Sequence, residues 1–348
     1  MTAPAPQLGS GPVLVVERLR AYYQMKYFGI DREVRAVDDI TLHINRNEIY
    51  GLAGESSSGK TSFIKTIAAA NRPPLNVVGG SVKFSFLDRD IHELNRKALT
   101  AVRWKHLSYI MQGSMNVLNP VRRIKHSFFD FAFAHIGRPR PEFLEIVVEH
   151  LRRLHLEPSI LDAYPHELSG GMRQRVTIAL ATVCRPEFII ADEPTTALDV
   201  VVQKGVLGMI REVQRGMRSS ILFVTHDLAV HANMTDRLGI MYAGRLVEEA
   251  PTRAIFAKPL HPYTAHLIES LPRIGDSGLK KALGGSPPNL SAPPPGCRFH
   301  PRCPLAADIC RLEVPALTEL APGHRVACFA ASPAVKPAKH EEPAEAVQ

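Results

Sequence analysis

A short glycine- and serine-rich loop constrains the fold of this chain more than any other feature. The loop, GESSSGKT, runs from Gly54 to Thr61 and matches the pattern G-x-x-x-x-G-K-[ST]. The apolar stretch EIYGLAG (48–54) before it is typical of a strand, and TSFIKTIAAA (61–70) after it is typical of a helix. This order of strand, loop and helix is the setting of a phosphate-binding loop, although a Gly/Ser turn before an ordinary helix would also match the pattern.

The chemistry of a phosphate loop rests on its backbone. Successive N–H groups and the positive end of the following helix hold phosphate oxygens. We expect Lys60 to reach the β- and γ-phosphates of a nucleotide and the Thr61 hydroxyl to bind Mg²⁺. The residues of the loop predicted to contact ATP are Gly54, Glu55, Ser56, Ser57, Ser58, Gly59, Lys60, Thr61 and Ser62.

A second segment supplies the carboxylates that such a loop needs. FIIADEPTTALD (188–199) begins as a buried-type apolar strand and continues into two acids. We expect Asp192 to bind Mg²⁺ through water and Glu193 to orient and polarise the attacking water. Adjacent acids at a strand end are often only a solvated turn, but the phosphate loop earlier in the chain favours the functional interpretation.

A second glycine-rich helix start, ELSGGMRQR (167–175), lies between these two segments. Ser169 and the two glycines after it open a predicted helix, which makes another N–H-rich anion site. A single phosphate-loop protein does not need two such sites. Two copies that face each other would need them, because the helix of one copy closes over the γ-phosphate bound to the other.

Size and composition set the class of protein. The chain has 348 residues, 45% of them hydrophobic, which allows one large domain with or without an appendage. It has no apolar run near the roughly 18 residues that would span a bilayer, and its N-terminus, MTAPAPQLGSGP, does not match a signal peptide. We therefore expect a cytoplasmic protein. The net charge of +8 suits an anionic partner, but a solvated mixed surface is the simpler interpretation.

The phosphate loop, LSGGMRQR, IIADEPTTALD and VTHD, in this order, resemble the motifs of an ATP-binding-cassette (ABC) ATPase. The resemblance implies an α/β fold: a P-loop ABC-type nucleotide-binding domain with a RecA-like core, an antiparallel β subdomain and a helical subdomain at about 113–180. We expect a flexible N-terminus at 1–12 and the ATPase domain at 13–271. A Cys-rich C-terminal extension would occupy 272–329, and a disordered tail 330–348.

The resemblance also implies roles for matching residues. Gln112, in SYIMQG, corresponds to the glutamine that contacts Mg²⁺ and water, so the expected Mg²⁺ set is Thr61, Gln112 and Asp192. His226 corresponds to the histidine that contacts the γ-phosphate and would act with Glu193 and Gln112 in catalysis. The aromatic residue that stacks on adenine would be Tyr23, with Tyr22 as the alternative. The residues expected at the partner subunit's ATP are Ser169, Gly170, Gly171 and Asp199.

Further segments narrow the resemblance to the ATP-binding subunits of oligopeptide and dipeptide importers. They are PHELSGGMRQRV, LNP (118–120), HPYTAHLIESLP (261–272) and CRFHPRCP (297–304). The resemblance implies ATP hydrolysis at the cytoplasmic face of the inner membrane, on two transmembrane permease subunits fed by an external binding protein. It also implies a second ATPase subunit, either a paralogous chain or a second copy, and no specific nucleic acid. Relatives with this pattern import nickel or oligosaccharides, so these cargoes stay open.

Two positions depart from the family pattern. Ser57 stands where glycine is usual, and a positive φ there would be strained because serine has a Cβ. Gly113-Ser114 follows Gln112, where Asp-Pro is common, on the expected coupling surface. The first departure is the only support for a regulatory chain with a decayed ATP site. The other rival, a soluble ABC ATPase that acts on nucleic acid or ribosomes, usually has a coiled-coil insertion or two cassettes, and this chain has neither.

Four of the five cysteines lie close together near the C-terminus. Their spacing is not the paired C-x₂-C of common zinc sites, nor a ferredoxin spacing, but four thiolates can still hold one tetrahedral metal or one cluster. From the residues alone, zinc, an iron–sulfur cluster and free thiols or disulfides stay open, and the resemblance implies a [4Fe–4S] cluster. The expected ligands are Cys297, Cys303, Cys310 and Cys328. His300 and His324 are possible but less favoured ligands, and Cys184 is expected to be a buried apolar residue.

Overall fold

The computed structural model describes residues 11–27, 29–113, 117–196, 198–271 and 283–331. The predicted flexible N-terminus, the start of the predicted C-terminal extension (272–282) and the disordered tail fall mostly outside these residues, as does Ser114. The strands are β1 (Pro12–Tyr27), β2 (Ile30–Asn45), β3 (Ile49–Ala53), β4 (Leu75–Phe84), β5 (Leu107–Ile110), β6 (Phe188–Asp192), β7 (Ser220–Val224), β8 (Arg237–Tyr242), β9 (Arg245–Pro251), β10 (Thr318–Ala321) and β11 (His324–Val326). The helices are α1 (Lys60–Ile67), α2 (Arg96–Val102), α3 (Ile124–Phe131), α4 (Phe133–Ile136), α5 (Arg140–Arg153), α6 (Gly170–Thr182), α7 (Val200–Met217), α8 (Leu228–Met234), α9 (Thr252–Ala257), α10 (Pro262–Glu269) and α11 (Asp308–Leu312).

The larger sheet carries the core of the fold. Its strand order is β10-β11-β9-β8-β3-β7-β6-β5, and the strands from β8 to β5 are parallel. Every residue of β3, β6 and β7 is buried. Parallel strands covered on both faces are expected to be continuous apolar runs, as IYGLA and FIIAD nearly are. The carboxyl ends of these strands therefore meet at one edge of the sheet, where parallel α/β folds place their ligands.

A smaller antiparallel sheet of β2, β1 and β4 packs against the first. From Ile40 to Asn45, β2 alternates buried and exposed residues, which is the pattern of a strand with one face on the core. The buried side chains of this sheet share a core with Phe63, Ile64 and Ile67 of α1. The helix after the phosphate loop is thus held between the two sheets.

The helices α3, α5, α6 and α7 share a core with the other face of the larger sheet. In α5, Phe143, Val147 and Leu151 recur at a helical spacing, and each is fully buried. The rings of Phe129 and Phe133 pack against Phe143 at 5.2 Å between centroids. This core fixes the position of α6, which begins with the second glycine-rich motif.

The C-terminal segment, residues 283–331, is built into the larger sheet. Strand β11 pairs antiparallel with β9, and β10 pairs with β11. Glu249 of β9 accepts hydrogen bonds from Tyr50, Arg237 and Arg325 and is 1% exposed. Its neighbour Glu248 is also buried. The structure therefore does not support the expectation of an appended Cys-rich extension, because this segment pairs with β9 and covers its carboxylates.

Candidate functional site

The phosphate loop surrounds a cavity of about 380 Å³ at the edge of the larger sheet. Two glycines give the loop its shape, since Gly54 has φ +152° and Gly59 has φ +103°. A Cβ on Gly54 would lie 2.1 Å from the Met241 carbonyl oxygen, and one on Gly59 would lie 2.0 Å from that of Ala36. Only glycine fits at both positions. The cavity is lined by Tyr23, Val34, Ala36, Ser56, Ser57, Ser58, Gly59, Lys60, Thr61, Ser62, Gln112, Glu193, His226 and Leu290.

The Lys60 ammonium is folded back onto the loop. Its Nζ donates to the carbonyl oxygens of Gly54 at 2.6 Å and Glu55 at 2.9 Å. Burial lowers the pKa of Lys60, and the carboxylates of Glu193, Asp192 and Glu55 oppose that shift. The Lys60 ammonium therefore has two loop carbonyls as hydrogen-bond partners and three nearby carboxylates that favour its charged form.

Asp192 ends β6 beside the loop. It is 3% exposed, and its Oδ2 accepts a hydrogen bond from the Tyr109 hydroxyl at 2.9 Å. Burial raises the pKa of Asp192, although the Tyr109 hydrogen bond opposes the rise. A buried carboxylate whose charge is poorly solvated favours a cation, and oxygen ligands are those that Mg²⁺ prefers.

Glu193 lies at the centre of the predicted catalytic group. Its Oε2 accepts from Gln112 Nε2 at 3.0 Å and from the Thr196 hydroxyl at 2.9 Å, and its Oε1 lies 3.3 Å from His226 Nδ1. Its backbone has φ +47°, which is uncommon for a residue with a Cβ and clusters at functional sites. Three parts of the chain that are distant in sequence thus converge on one carboxylate.

The two candidate aromatic residues of β1 are separated by the alternation of the strand. Tyr23 lines the cavity, and its hydroxyl lies 3.1 Å from Ser62 Oγ. Tyr22 instead donates to Asp38 at 2.5 Å, and its burial, with that hydrogen bond, raises its pKa to about 12. The structure therefore places Tyr23, and not Tyr22, at the cavity.

Ser57 adopts the left-handed conformation that its position was expected to need. Its φ is +65°, in the region that favours glycine. It still lines the cavity with the rest of the loop. The departure from glycine is thus accommodated by the loop at a cost in backbone strain, with Lys60 and Thr61 still at the cavity.

The second glycine-rich motif lies outside this cavity. Ser169 caps α6 by accepting a hydrogen bond from the Met172 N–H at 3.3 Å, and Asp199 caps α7 in the same way at 2.9 Å from the Val202 N–H. A Cβ on Gly171 would lie 2.4 Å from Val202 Cγ1, so only glycine lets α6 approach α7 this closely. Ser169, Gly170, Gly171 and Asp199 do not line the cavity of their own chain.

Comparison with known proteins identifies the family. Residues 37–196 match the family described as ABC transporter, and residues 247–310 match the oligopeptide/dipeptide transporter C-terminal region. The chain is 38% identical over 319 residues to the dipeptide transport ATP-binding protein DppD of Caldanaerobacter subterraneus, covering 91% of this chain and 96% of that protein. It is 39% identical over 305 residues to the oligopeptide transport ATP-binding protein OppD of Salmonella typhimurium, covering 86% and 89%. This chain belongs to the family of peptide-transporter ATP-binding subunits. The family predicted from the motifs is thereby confirmed.

Solved structures confirm the ABC ATPase fold. A dimeric post-hydrolysis state of the ATP-binding cassette MJ0796, bound to ADP and Pi, superposes with a TM-score of 0.59 at 24% identity, covering 69% of this chain and 99% of that one. CbiO1 from Clostridium perfringens, part of the ABC transporter complex cbiONQ, also has a TM-score of 0.59, at 23% identity, and covers 71% and 91%. Within the described ranges, no helix of this ABC subunit is long and apolar enough to cross a membrane.

The four C-terminal thiols lie near one another without forming a ligand set. Burial, with smaller contributions from the charges of Cys310, Cys328 and Cys303, raises the pKa of Cys297 to about 11. The Cys297 N–H donates to the Cys310 carbonyl oxygen at 2.8 Å. In the part of the chain that the structure describes, however, no three His, Cys, Asp or Glu side chains are grouped so that they could hold a metal ion. The predicted cluster or zinc site is therefore not supported by this geometry.

The two histidines considered as possible ligands, and the fifth cysteine, have other partners. His324 Nε2 lies 2.6 Å from Glu248 in the buried side of β9, and His300 Nδ1 lies 2.9 Å from the Cys297 carbonyl oxygen. Cys184 packs at the edge of the helical core, and burial raises the pKa of its thiol to about 11. His324 thus serves the sheet, and Cys184 packs as a small apolar side chain.

Five residues of the site were missed by the sequence analysis, and two of them, Val34 and Ala36, line the cavity from β2. Tyr109 bonds Asp192, Thr196 bonds Glu193, and Leu290 lines the cavity from the C-terminal segment. Tyr109 and Thr196 lie within three residues of Gln112 and Glu193 in the sequence, which was a usable signal. Leu290 follows a Gly-, Ser- and Pro-rich stretch, and its approach to the cavity depends on the tertiary fold.

Proposed function

We propose that this chain is the ATP-hydrolysing subunit that powers peptide uptake through an ABC transporter. The observation that carries the proposal is the placement of Glu193 between Gln112 and His226 at the mouth of the phosphate loop. A carboxylate held by two polar side chains beside a phosphate site is suited to orient an attacking water. The names of the relatives, which are oligopeptide and dipeptide transport proteins, support peptides as the cargo.

The described residues divide the work of hydrolysis. The loop N–H groups and Lys60 bind the phosphates, while Tyr23 stacks on the adenine ring. Thr61, Gln112 and Asp192 would hold Mg²⁺, which would supply positive charge beside the transferring phosphoryl group. Glu193 positions the water and accepts its proton, and His226 contacts the γ-phosphate. Because the barrier is lowered mostly by positioning and charge, the alignment of these side chains decides the rate.

The complete site needs a second subunit. Ser169–Gly171 and Asp199 lie outside the cavity of their own chain, at the starts of α6 and α7. The N-terminus of α6 presents N–H groups and a positive dipole end that suit a partner's γ-phosphate. The partner subunit is a second copy or a paralogous chain, and the dimer drives two transmembrane permeases at the cytoplasmic membrane face, supplied by a substrate-binding protein.

We propose that the four C-terminal cysteines, Cys297, Cys303, Cys310 and Cys328, hold an iron–sulfur cluster, with zinc as the alternative metal. The electrostatic interaction among the four thiols supports the proposal. In the described residues, no three ligand side chains are grouped closely enough to hold a metal ion, so the site would have to form when the metal binds. Since thiolates bind metal and thiols do not, a metal would also have to lower the raised pKa values of Cys297, Cys303 and Cys328. We assign no step of ATP hydrolysis to this group.

The function is tested by ATP hydrolysis and binding in the full chain, alone and assembled with its permeases. Glu193→Gln should lower hydrolysis by about 10²- to 10⁴-fold, which is the usual contribution of a positioned acid or base, and should retain MgATP binding. Glu187→Gln, at the opposite end of β6, is the matched control and should leave hydrolysis near wild type. Hydrolysis that survives in Glu193→Gln would show that another group activates the water.

Cargo and metal have separate tests. Reconstituted transporter should show ATPase activity stimulated by binding protein loaded with a short peptide, but not by nickel or an oligosaccharide; the reverse would reassign the cargo. Chain purified without oxygen should contain iron and sulfide in near-equal amounts, both lost in Cys303→Ser. One zinc without sulfide would replace the cluster with a zinc cap, and neither metal would leave four free thiols.

A further inference from the structure

The C-terminal segment contacts the phosphate loop at Glu55 through Arg302. The guanidinium of Arg302 forms a two-point ion pair with the carboxylate, with Nη1 2.8 Å from Glu55 Oε2 and Nη2 3.1 Å from Oε1. Paired, parallel hydrogen bonds of this kind fix direction as well as charge. Arg302 lies more than two hundred residues after the loop in the sequence, next to Cys303. No part of the ATP-site chemistry described above uses Arg302.

The backbone of the same loop residue is held by a second contact. The Glu55 N–H donates to the Tyr263 hydroxyl at 2.8 Å, so this N–H is not one of those left for a phosphate. Tyr263 belongs to the segment HPYTAHLIESLP and is fully buried. His261 Nδ1 accepts from the Tyr263 N–H at 3.0 Å and fixes the start of α10. A loop residue thus has its amide and its carboxylate anchored from two separate C-terminal elements.

Both anchors are themselves rigid. Arg302 is only 7% exposed in its side chain, and its Nε donates to the Gly284 carbonyl oxygen at 3.1 Å. The rings of Tyr242, Tyr263 and Phe299 pack together beneath it at 4.6 to 5.5 Å between centroids. A guanidinium that is held by packing loses little further conformational freedom when it binds a carboxylate, so the ion pair holds Glu55 in a fixed position.

The anchored residue is in direct contact with the catalytic machinery. The Glu55 carbonyl oxygen accepts from Lys60 Nζ at 2.9 Å. The chain of contacts therefore runs from Arg302 and Tyr263, through the single residue Glu55, to the lysine expected on the phosphates. A displacement of this residue by an ångström would move a hydrogen-bond partner of Lys60, and misplacement on that scale costs large factors in catalysis.

We propose that Arg302 and Tyr263 are positioning residues that hold the phosphate loop at Glu55 in the shape that binds MgATP. The inference rests on the proposed function, because it assigns the C-terminal region a part in the same ATP site. It also assigns a role to the stretch around the thiols that needs no metal: residues 297–303 carry the arginine that braces the loop.

The test measures the dissociation constant of MgATP for the full chain with a fluorescent ATP analogue. Arg302→Met should weaken binding by about tenfold, and Tyr263→Phe by a smaller factor, since each removes an anchor from Glu55. Arg302→Lys should restore part of the affinity, because a lysine replaces the charge but not the two-point geometry. In a double-variant cycle, adding Glu55→Gln to Arg302→Met should weaken binding little more than Arg302→Met alone.

Arg325→Met is the matched control for a merely structural role. Arg325 is a C-terminal arginine paired with a buried carboxylate, Glu249, but it lies on β11 away from the loop. It should lower the melting temperature and leave MgATP affinity within about twofold of wild type, because it changes no contact of the loop. Hydrogen exchange of the peptide covering 54–62 should speed up in Arg302→Met and not in Arg325→Met.

The outcomes separate this inference from the proposed function. If the wild-type chain does not bind MgATP, the proposed function fails. If it binds, and Arg302→Met binds equally well with unchanged exchange in the loop, the positioning role is wrong and the function stands. Should Arg302→Met fail to fold, Tyr263→Phe and Arg302→Lys decide the question, and wild-type affinity in both would overturn the inference. Equal weakening in Arg325→Met would reduce Arg302 to a general structural contact.

Discussion

The nucleotide cavity and the C-terminal thiol segment hold their reactive groups in different ways. At the cavity, the loop and the carboxylates follow β3 and β6, whose residues are all buried in a parallel sheet. In the C-terminal segment, Cys297 and Cys303 flank a short 3₁₀ turn, Cys310 lies on α11 and Cys328 follows β11. Contacts from His324 and Arg325 to the carboxylates of β9 hold that region in place. The first arrangement brings Lys60, Asp192 and Glu193 together, whereas the second brings no ligand trio together in the described residues.

The difference shows what brings side chains that are distant in sequence to one site. Parallel strands with short loops at their carboxyl ends deliver distant residues to one edge, whatever the connections between them. An irregular segment has no such constraint, so its geometry depends on what it packs against. Here the segment packs on β9 and on the phosphate loop, and its arginines rather than its thiols make the directed contacts.

The largest expected effect tests whether the C-terminal segment is part of the folded core. Phe299 is 1% exposed and packs against Tyr242 and Tyr263. Phe299→Ala should lower the free energy of unfolding by about 3–5 kcal/mol, because it removes a buried ring and leaves a cavity. Urea denaturation of the full chain measures it, with the exposed Leu312→Ala as control. A loss below about 1 kcal/mol would show that the segment is an appendage after all.

The second prediction concerns the cost of the nucleotide site. Asp192→Asn should raise the melting temperature without Mg²⁺, because burial raises the pKa of Asp192 and the charged form is therefore the unfavourable one. Binding of Mg²⁺ with ATP should weaken by about 10- to 100-fold, the usual loss when a metal site is disturbed. Thermal melts and Mg²⁺ titrations check both arms. A lower melting temperature in Asp192→Asn would mean that the net effect of the carboxylate is to stabilise the fold.

The third prediction concerns two buried histidines, His231 and His261. Burial lowers the pKa of His231, in α8, to about 4 and that of His261, before α10, to about 3. Their ordinary value is about 6.5, so below that pH the unfolded chain binds protons that the folded chain does not. Above about pH 6.5, the two histidines therefore do not reduce the free energy of unfolding. Below that pH, the free energy of unfolding falls by about 1.4 kcal/mol per pH unit for each histidine.

Denaturation between pH 7 and 5 measures this fall. His231→Gln should reduce the slope by about one histidine's share, because glutamine does not titrate in this range. His155→Gln is the control, since that side chain is 77% exposed. An unchanged slope in His231→Gln would mean that this imidazole is not held neutral by the core.

The smallest expected effect is at the loop itself. Ser57→Gly should raise the free energy of unfolding by about 1 kcal/mol, since φ +65° is strained for serine and free for glycine. MgATP affinity should rise or stay equal. The wild-type and variant melting temperatures check this, and Gly137→Ala, which has φ +64°, should show the opposite sign in a helix terminus remote from the cavity. A destabilised Ser57→Gly would assign the serine hydroxyl a stabilising contact.

The sequence by itself determined the family, the α/β fold and the convergence of the nucleotide site. Its motifs lie directly at the ends of apolar strands, so local pattern and tertiary placement agree at Gly54, Asp192 and His226. Local pattern was less reliable at the borders of elements. The alternating stretch SVKFSFLD (81–88) is typical of a strand, but β4 lies at Leu75–Phe84, because pairing with β1 begins before the alternating residues do.

Three features of the protein were decided only by the tertiary structure. It placed Tyr23 rather than Tyr22 at the cavity, because alternation along β1 turns the two rings to opposite sides. It joined β11 to β9, since buried Glu249 needs the cation of Arg325. It brought Arg302 to Glu55 across most of the chain length, a contact set by packing and not by any local pattern. Close spacing of cysteines in the sequence, by contrast, did not impose a ligand geometry, because the thiols lie on or beside different short elements, a 3₁₀ turn, α11 and β11, that do not converge on one point in the described residues.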